Sequence, residues 1–315
     1  MPALLFVATA ATPLSFAWIP GVLALISSQV LIISSWREAK AGTLVNVVLL
    51  GLLAVVFSMN GPLSVDAEFA RAASDAPSGP GAVVTELDLA PLPEPLQRYL
   101  RLAGAVGKPR ASLTRATWTG RIRGGADQPW MEFTAEQVNT WGTTPTRFFL
   151  MHATMKGVPV RVFHRFDSDG ASFRVRPLGL FNLVDARGPQ MNRSETVTIL
   201  NDLAMLAPSR FLDPSCRFDA IDAHAARVHF TRGAETVSAE LRFDDAGWLI
   251  DFVSDDRSQA SADGKEFKPL RWSTPLRAPT LFDGRRAPKH GDAVWHEPSG
   301  PWVYGEFELE MFSSD

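Results

Sequence analysis

Two long runs without charged side chains open the chain. The first extends from Met1 to Ser35 and the second from Ala41 to Pro62. Because a helix needs about 20 mainly apolar residues to cross the hydrocarbon of a bilayer, the second run predicts a transmembrane helix over about residues 42–60. The first predicts another over about 16–35, with Pro20 in its first turn, where a missing N–H costs little. For residues 1–15 a short helix, an interfacial segment and a third span all remain open.

The loop between the two runs sets the expected orientation. It carries Arg37 and Lys40, and basic residues in short loops favour the cytoplasmic side. The chain after Met59 would then leave the membrane on the outer side. A cleaved signal peptide is the alternative for the first run, but such peptides begin with positive charge and no charge precedes this run. We therefore expect residues 1–62 to form a membrane anchor.

Small and turn-forming residues dominate the stretch that follows. Residues 72–81 consist only of Ala, Ser, Asp, Pro and Gly. Such a composition offers too little apolar surface to build a core. It predicts a flexible tether over residues 63–90.

Two helices are predicted in the remaining part, residues 91–315. The first begins near Pro95 and ends at Gly104, which fits the preference for proline at the start of a helix and glycine after its end. The second follows Gly188-Pro189 and carries an apolar stripe that comprises Val197, Leu200, Leu203 and Ala204.

Alternation with a period of two covers most of the rest. Met131, Phe133 and Ala135 alternate with polar residues, as in an antiparallel sheet with one wet face. The stretch 146–155 is apolar on both faces and predicts a more buried strand. The order of helix, strands, helix and strands predicts a mainly β (α+β) domain: a curved antiparallel sheet or half-barrel with covering helices, preceded by a transmembrane helical hairpin.

The charge and the cysteine content exclude several classes of function and site. The net charge of −3 gives no broad positive field for nucleic acid. The single cysteine, Cys216, excludes an internal disulfide and any multi-cysteine zinc site. No phosphate loop, dinucleotide fingerprint or nucleophile elbow is present. We expect no cofactor, no metal and no catalytic residue that the sequence identifies.

A few polar residues still invite a chemical interpretation. A hydrolase would use His164, Asp255 and Asp256 if they lay together in a cleft. The more ordinary interpretations are a hydrogen-bonded core histidine for His164 and a solvated charged loop for Asp255 and Asp256. Asp167 to Gly170 favours a hairpin turn over a calcium loop. The strand arginines favour the wet face of the sheet over a lipid-headgroup surface; they are Arg115, Arg121, Arg123, Arg147, Arg161, Arg165, Arg174 and Arg176.

The soluble part resembles a bacterial domain family of unknown function. The resemblance rests on Leu92 to Leu100 and on a later course through Arg257, Leu270-Arg271-Trp272, Arg286-Ala287-Pro288, Ala293-Val294-Trp295 and Tyr304. It covers about residue 91 to the end, and a Pro-Trp pair common in the family is here Arg271-Trp272. The element order is also similar to the periplasmic lipoprotein-carrier (LolA/LolB-like) half-barrel. That resemblance implies a helical lid over an apolar cavity that binds acyl chains or another hydrophobic guest.

These observations lead to one hypothesis and two alternatives. We expect a non-catalytic binding module for a lipid or other hydrophobic ligand, tethered to the bacterial cytoplasmic (inner) membrane with its soluble domain outside. An envelope hydrolase, or a structural or assembly partner of membrane proteins, remains open. The candidate residues for the cavity lining are Trp118, Met131, Phe133, Phe149, Met151, Leu203, Trp248, Trp272 and Trp295.

Overall fold

A computed structural model describes residue 16 and residues 18–76, 79 and 81–315. The chain divides into two compact units. One holds the described residues up to Ser74 together with Arg176–Asn182, and the other holds Asp75–Val175 and Leu183–Asp315. The question of what residues 1–15 form lies outside the described residues.

The first unit is built on an apolar helical hairpin. Its helices are α1 (Trp18–Ser34), the single turn α2 (Trp36–Ala39) and α3 (Gly42–Asn60). Polar side chains join α1 to α3: the Asn46 amide donates to the Gln29 amide oxygen (3.0 Å), and the Ser28 hydroxyl donates to the Asn46 amide oxygen (3.1 Å). Such hydrogen bonds hold apolar helices together in a medium that offers no others.

One helical stretch in the described chain, Gly42–Ser74, contains a segment that is long and apolar enough to cross a membrane. The exposed side chains of α3 include Leu44, Val48 and Leu50. Such a surface is costly in water and ordinary in lipid. At 17 residues, α1 is a shorter apolar helix, so a second crossing stays a prediction.

Residues 63–90 hold more regular structure than the predicted tether. Val65–Ser74 form α4, which buries Val65, Phe69 and Ala73. Val83 pairs with Pro109, and Glu86–Leu89 form the short helix α5. The prediction of a continuous flexible tether is therefore wrong for these segments. The overall composition of this stretch indicates disorder, but Val65, Phe69 and Ala73 recur at a spacing of four residues, which places them on one face of a helix. Pro77, Ser78 and Pro80 of that prediction lie outside the described residues.

The second unit begins with a helix where the sequence predicts one. Helix α6 (Glu94–Leu102) has Pro95 in its first turn and ends before Gly104, whose φ of +74° favours glycine. It buries Leu96, Tyr99 and Leu100. The Tyr99 hydroxyl donates to the Ala204 carbonyl (2.7 Å) in the last turn of a later helix, where carbonyls have no partner within the helix.

Sixteen strands follow in the described chain, interrupted once by helix α7 (Pro189–Leu206) and a short 3₁₀ turn (Pro208–Leu212). Before α7 the strands are β1 (Leu113–Ile122), β2 (Met131–Thr140), β3 (Thr146–Met155), β4 (Val158–Asp167), β5 (Gly170–Pro177) and β6 (Val184–Arg187). After it they are β7 (Cys216–Asp222), β8 (Ala225–Arg232), β9 (Glu235–Phe243), β10 (Leu249–Ser254), β11 (Ser258–Ala260), β12 (Phe267–Pro269), β13 (Arg271–Ser273), β14 (Leu276–Phe282), β15 (Arg285–Glu297) and β16 (Gly300–Ser314).

Fourteen of these strands form one curved sheet. Its order is β6-β5-β4-β3-β2-β1-β16-β15-β13-β10-β9-β8-β7, with β14 paired to β15. The pairings are antiparallel, and β1 joins the two halves by pairing with β16. The prediction of a mainly β, curved antiparallel sheet with helices is confirmed.

The topology explains where α7 lies. It connects β6 to β7, and these strands stand at opposite ends of the sheet order. A connection between opposite ends must cross the sheet. Accordingly α7 is buried on all sides: Val197, Ile199 and Leu200 are fully inaccessible. The helix fills much of the interior that an open half-barrel would leave empty.

Candidate functional site

A cavity of about 280 Å³ opens in the second unit. Its apolar lining includes Tyr99 of α6, Trp248 just before β10, Leu249 at the start of β10, Leu276 of β14 and Ala287 of β15. The volume is close to the lower end of the range of about 300–1,000 Å³ for ligand pockets. The cavity therefore has room for a small apolar molecule or for part of a chain.

Its rim carries two arginines with different surroundings. Arg277 is held in a bidentate pair with Asp292 (2.7 and 3.0 Å), which raises the pKa of the guanidinium. Arg286 also lines the cavity, and within the described chain its guanidinium has no ion-pair or hydrogen-bond partner. Arg286 is the cation that remains available to an anionic group at this rim.

The backbone at the rim is also unusual. Ala278 has a φ of +54° and lines the cavity. This left-handed backbone conformation costs a residue that has a Cβ of order 1–3 kcal/mol. It persists where the surrounding structure imposes it, and such positions cluster at functional sites. The neighbouring Pro279 has no N–H to donate to a strand ladder.

Among the nine predicted lining residues, Trp248 borders this cavity. Four others lie in a second packed group, the strand cluster: Trp118, Phe133, Phe149 and Met151. The other buried members of the strand cluster are Ala116, Ala135, Ala153, Val160, Val162, Leu206, Ala287, Leu309 and Phe312. Met131 is half-buried at the start of β2.

The last three predicted residues belong to the larger group around α6 and α7, the helix cluster. Leu203 is a buried residue of α7. Trp272 donates from its indole to the Tyr304 hydroxyl (3.1 Å), and Trp295 stacks on the same tyrosine with ring centroids 5.6 Å apart. The structure thus distributes the predicted set over two packed groups instead of collecting it around this cavity. The cavity lies where the groups meet, since Ala287 belongs to the strand cluster and Leu276 to the helix cluster.

A buried polar network, which we call the α7 polar cluster, joins α7 to three neighbouring strands. Its members are Gln137, Asn139, Arg147, His164, Glu195, Asp202 and Arg257. Asp202 accepts hydrogen bonds from the side chains of Gln137 (2.7 Å), Asn139 (2.9 Å) and Arg147 (2.8 Å). Glu195 lies 3.5 Å from Arg147 Nη1, 3.5 Å from His164 Nδ1 and 4.0 Å from Arg257 Nη2.

Burial and charge oppose each other in this cluster. Burial disfavours ionisation of Glu195, but the contact with His164 and the charges around it, including Arg147 and Arg257, outweigh burial and hold its pKa at about 2. Burial lowers the pKa of His164 below its ordinary value of 6.5, although Glu195 opposes the shift. Glu195 is therefore a buried anion balanced by arginines, and His164 is neutral near pH 7.

The α7 polar cluster was not predicted, and one expectation about it was wrong. Arg147 does not lie on a wet face; it is buried against Phe149 and two carboxylates. A signal was present in the sequence. Glu195 and Asp202 are seven residues apart and share a helix face, and Gln137 and Asn139 continue the inward-facing series of Phe133 and Ala135.

The residues proposed for a hydrolase are engaged separately. Asp255 forms a bidentate pair with Arg271 (2.8 and 2.9 Å) at the surface, and Asp256 pairs with Arg193 (2.5 Å). His164 contacts Glu195 instead. Within the described chain no group of three His, Cys, Asp or Glu side chains is arranged to hold a metal ion. Burial raises the pKa of the Cys216 thiol to about 12, as expected for a packing cysteine.

The fold defines a class of protein: a curved antiparallel sheet around an internal helix, preceded in sequence by apolar helices. Residues 82–307 match a family of unknown function, DUF6544, and the chain belongs to that family. The family resemblance drawn from the sequence is thereby confirmed. No curated protein matches the chain.

Solved structures of low sequence identity are similar. One is a putative outer membrane lipoprotein-sorting protein domain from Vibrio parahaemolyticus, with 9% identity and a TM-score of 0.38, covering 65% of this chain and 86% of that one. Another is a LolA superfamily protein from Nitrosomonas europaea, with 11% identity and a TM-score of 0.34, covering 73% of this chain and 94% of that one. The family assignment rests on the family match alone.

Proposed function

We propose that this protein is a non-catalytic binding module for a small hydrophobic or amphiphilic ligand, such as a lipid, held at a membrane by its N-terminal helices. The observation that carries the proposal is the cavity lined by Tyr99, Trp248, Leu249 and Leu276. Burial of an acyl chain there would contribute about 0.8 kcal/mol per CH₂.

The cavity rim indicates the class of ligand. Arg286 is a cation without a partner in the described chain, next to an apolar interior. This combination suits an amphiphile with an anionic head, such as a fatty acid. The head would remain close to solvent, so the charge contributes less than the chain.

The apolar helices support the part of the proposal that concerns the membrane. The positive loop that contains Arg37 and Lys40 favours the cytoplasmic side. We therefore propose the bacterial inner membrane, with the β domain outside the cytoplasm.

Binding of decanoate to the full chain in nanodiscs tests the proposal. Empty nanodiscs correct for partition of the probe into lipid. Ile250 lines the cavity and is 41% exposed, so Ile250→Trp should fill the cavity without disturbing the core. Leu281→Trp, on β14 and 60% exposed, is the matched control.

We expect Ile250→Trp to lower the affinity for decanoate about tenfold or more, which corresponds to about 1.4 kcal/mol, and Leu281→Trp to leave it unchanged. Decanol, which lacks the charge, should bind to the same cavity with little dependence on Arg286. Equal binding by both tryptophan variants, or no binding by the unaltered chain, would contradict the proposal.

A further inference from the structure

The β5–β6 connection presents apolar side chains to the outside. Leu180 is 43% and Phe181 57% exposed. Adjacent exposed Leu and Phe side chains at a loop tip are unfavourable in water and typical of a surface that meets another apolar phase.

The loop groups with the apolar helices. Arg176–Asn182 belong to the same compact unit as α1 and α3. Gly179 has a φ of +67°, and a Cβ there would lie 2.6 Å from the Ser58 carbonyl oxygen, in the last turn of α3. The approach of two backbones at this point therefore requires glycine.

This contact fixes the level of the loop along α3. Ser58 is two residues before the end of the helix, where a membrane-crossing segment would leave the hydrocarbon. Leu63, just after the helix, is 75% exposed. Leu63, Leu180 and Phe181 thus extend the exposed apolar surface of α3 at its exit end.

We infer that the loop 178–182 is a membrane wedge, which inserts Leu180 and Phe181 into the same bilayer that receives α3. The inference rests on the membrane anchorage in the proposed function but not on the ligand cavity. Its occupant is lipid, because the loop continues the surface of a helix whose own exposed side chains are suited to lipid.

Site-specific labelling of the full chain in phosphatidylcholine–phosphatidylglycerol nanodiscs tests the wedge. In a Cys216→Ser background, Phe181→Cys is labelled with an environment-sensitive nitrobenzoxadiazole dye. Leu50→Cys in the middle of α3 is the reference for lipid, and Ile221→Cys, 45% exposed near the end of β7, is the reference for water. Doxyl-labelled lipids and aqueous iodide are the two quenchers.

We expect the label at position 181 to be quenched by doxyl lipid as at position 50, and to be quenched by iodide several-fold less than at position 221. Iodide quenching equal to that at position 221, with position 50 still in lipid, would overturn the wedge and leave the anchor intact. Shielding from both quenchers would also overturn it, because protein would then cover the loop. Failure of lipid quenching at position 50 would overturn both the anchor and the wedge.

Discussion

At the scale of single residues, the least expected feature is a buried pair of carboxylates on α7. Glu195 and Asp202 are almost inaccessible and are held by Arg147, Arg257 and strand amides. Desolvation of buried ions costs free energy. When one partner of a buried ion pair is removed, the uncompensated charge that remains strongly destabilises the folded protein. The α7 polar cluster therefore ties α7 to one position on β2 and β3.

Substitution of Glu195 tests this role. Glu195→Gln keeps the shape but leaves Arg257 without its carboxylate and Arg147 with Asp202 alone, so we expect a loss of about 3–5 kcal/mol in the free energy of unfolding. Thermal unfolding of the full chain in detergent measures it. Glu235→Gln removes one of the two carboxylates, Glu235 and Asp256, that pair with the half-exposed Arg193, and it should cost no more than about 1 kcal/mol. Similar losses in the two variants would argue against a buried ionic cluster.

His164 predicts an acid-sensitive component of stability. Its folded-state pKa is below its ordinary value of 6.5, because burial disfavours the imidazolium and Arg147 and Arg257 repel it, although Glu195 attracts it. The unfolded chain then binds more protons as the pH falls below about 6.5, so this component is complete above that pH and is lost below it. We expect His164→Gln to flatten the fall of Tm between about pH 6.5 and pH 5. His229→Gln, which replaces a half-exposed imidazole in the middle of β8, is the control and should keep the slope of the unaltered chain; equal slopes in all three proteins would contradict the assignment.

At the scale of elements, α7 shows what the sequence can and cannot predict. Its position after Gly188-Pro189 and its apolar stripe were predicted correctly. The stripe implies one buried face and one wet face, but Ile199, opposite Val197, is also fully buried. Burial on the second face follows from the connection between opposite ends of the sheet, which no local pattern encodes.

Ile199 provides the corresponding test. Ile199→Ala should cost about 2–5 kcal/mol, the range for truncation of a large aliphatic side chain in a packed core. Leu87→Ala on α5, where the side chain is 86% exposed, is the control and should change stability by less than about 0.5 kcal/mol. Thermal unfolding of the two variants measures the difference. A cost for Ile199→Ala as small as that of the control would mean that α7 has a wet face.

The site was less predictable than the strands. The alternation of apolar and polar residues located β2 and β4, because successive side chains of a strand point to opposite faces of the sheet and only one of these faces is buried. The same alternation placed Phe133 and Phe149 inside, but inward-facing aromatics fill a core or line a cavity with equal ease. Only the three-dimensional arrangement shows that Trp248 borders a cavity while Trp118 is packed and donates to Gln137 (2.9 Å).

At the scale of the whole molecule, an apolar helical hairpin precedes in sequence a β domain that has an internal helix and a cavity of about 280 Å³. One stretch of the hairpin, which begins at Gly42, is long and apolar enough to cross a membrane. Helix α7 is buried inside the domain, and the cavity is small and lies beside β10, β14 and β15. In the proposed function the domain therefore binds a short chain or one end of a lipid, and not a large lipid in full.

Native mass spectrometry of the full chain, purified from its membrane and followed by extraction and identification of bound molecules, tests whether the cavity holds a ligand. We expect one small hydrophobic or amphiphilic molecule per chain in the unaltered protein and in Leu281→Trp, and its loss in Ile250→Trp. A ligand-free mass for the unaltered protein, together with no uptake of added decanoate, would rule out the binding module. So would retention of the same molecule by Ile250→Trp.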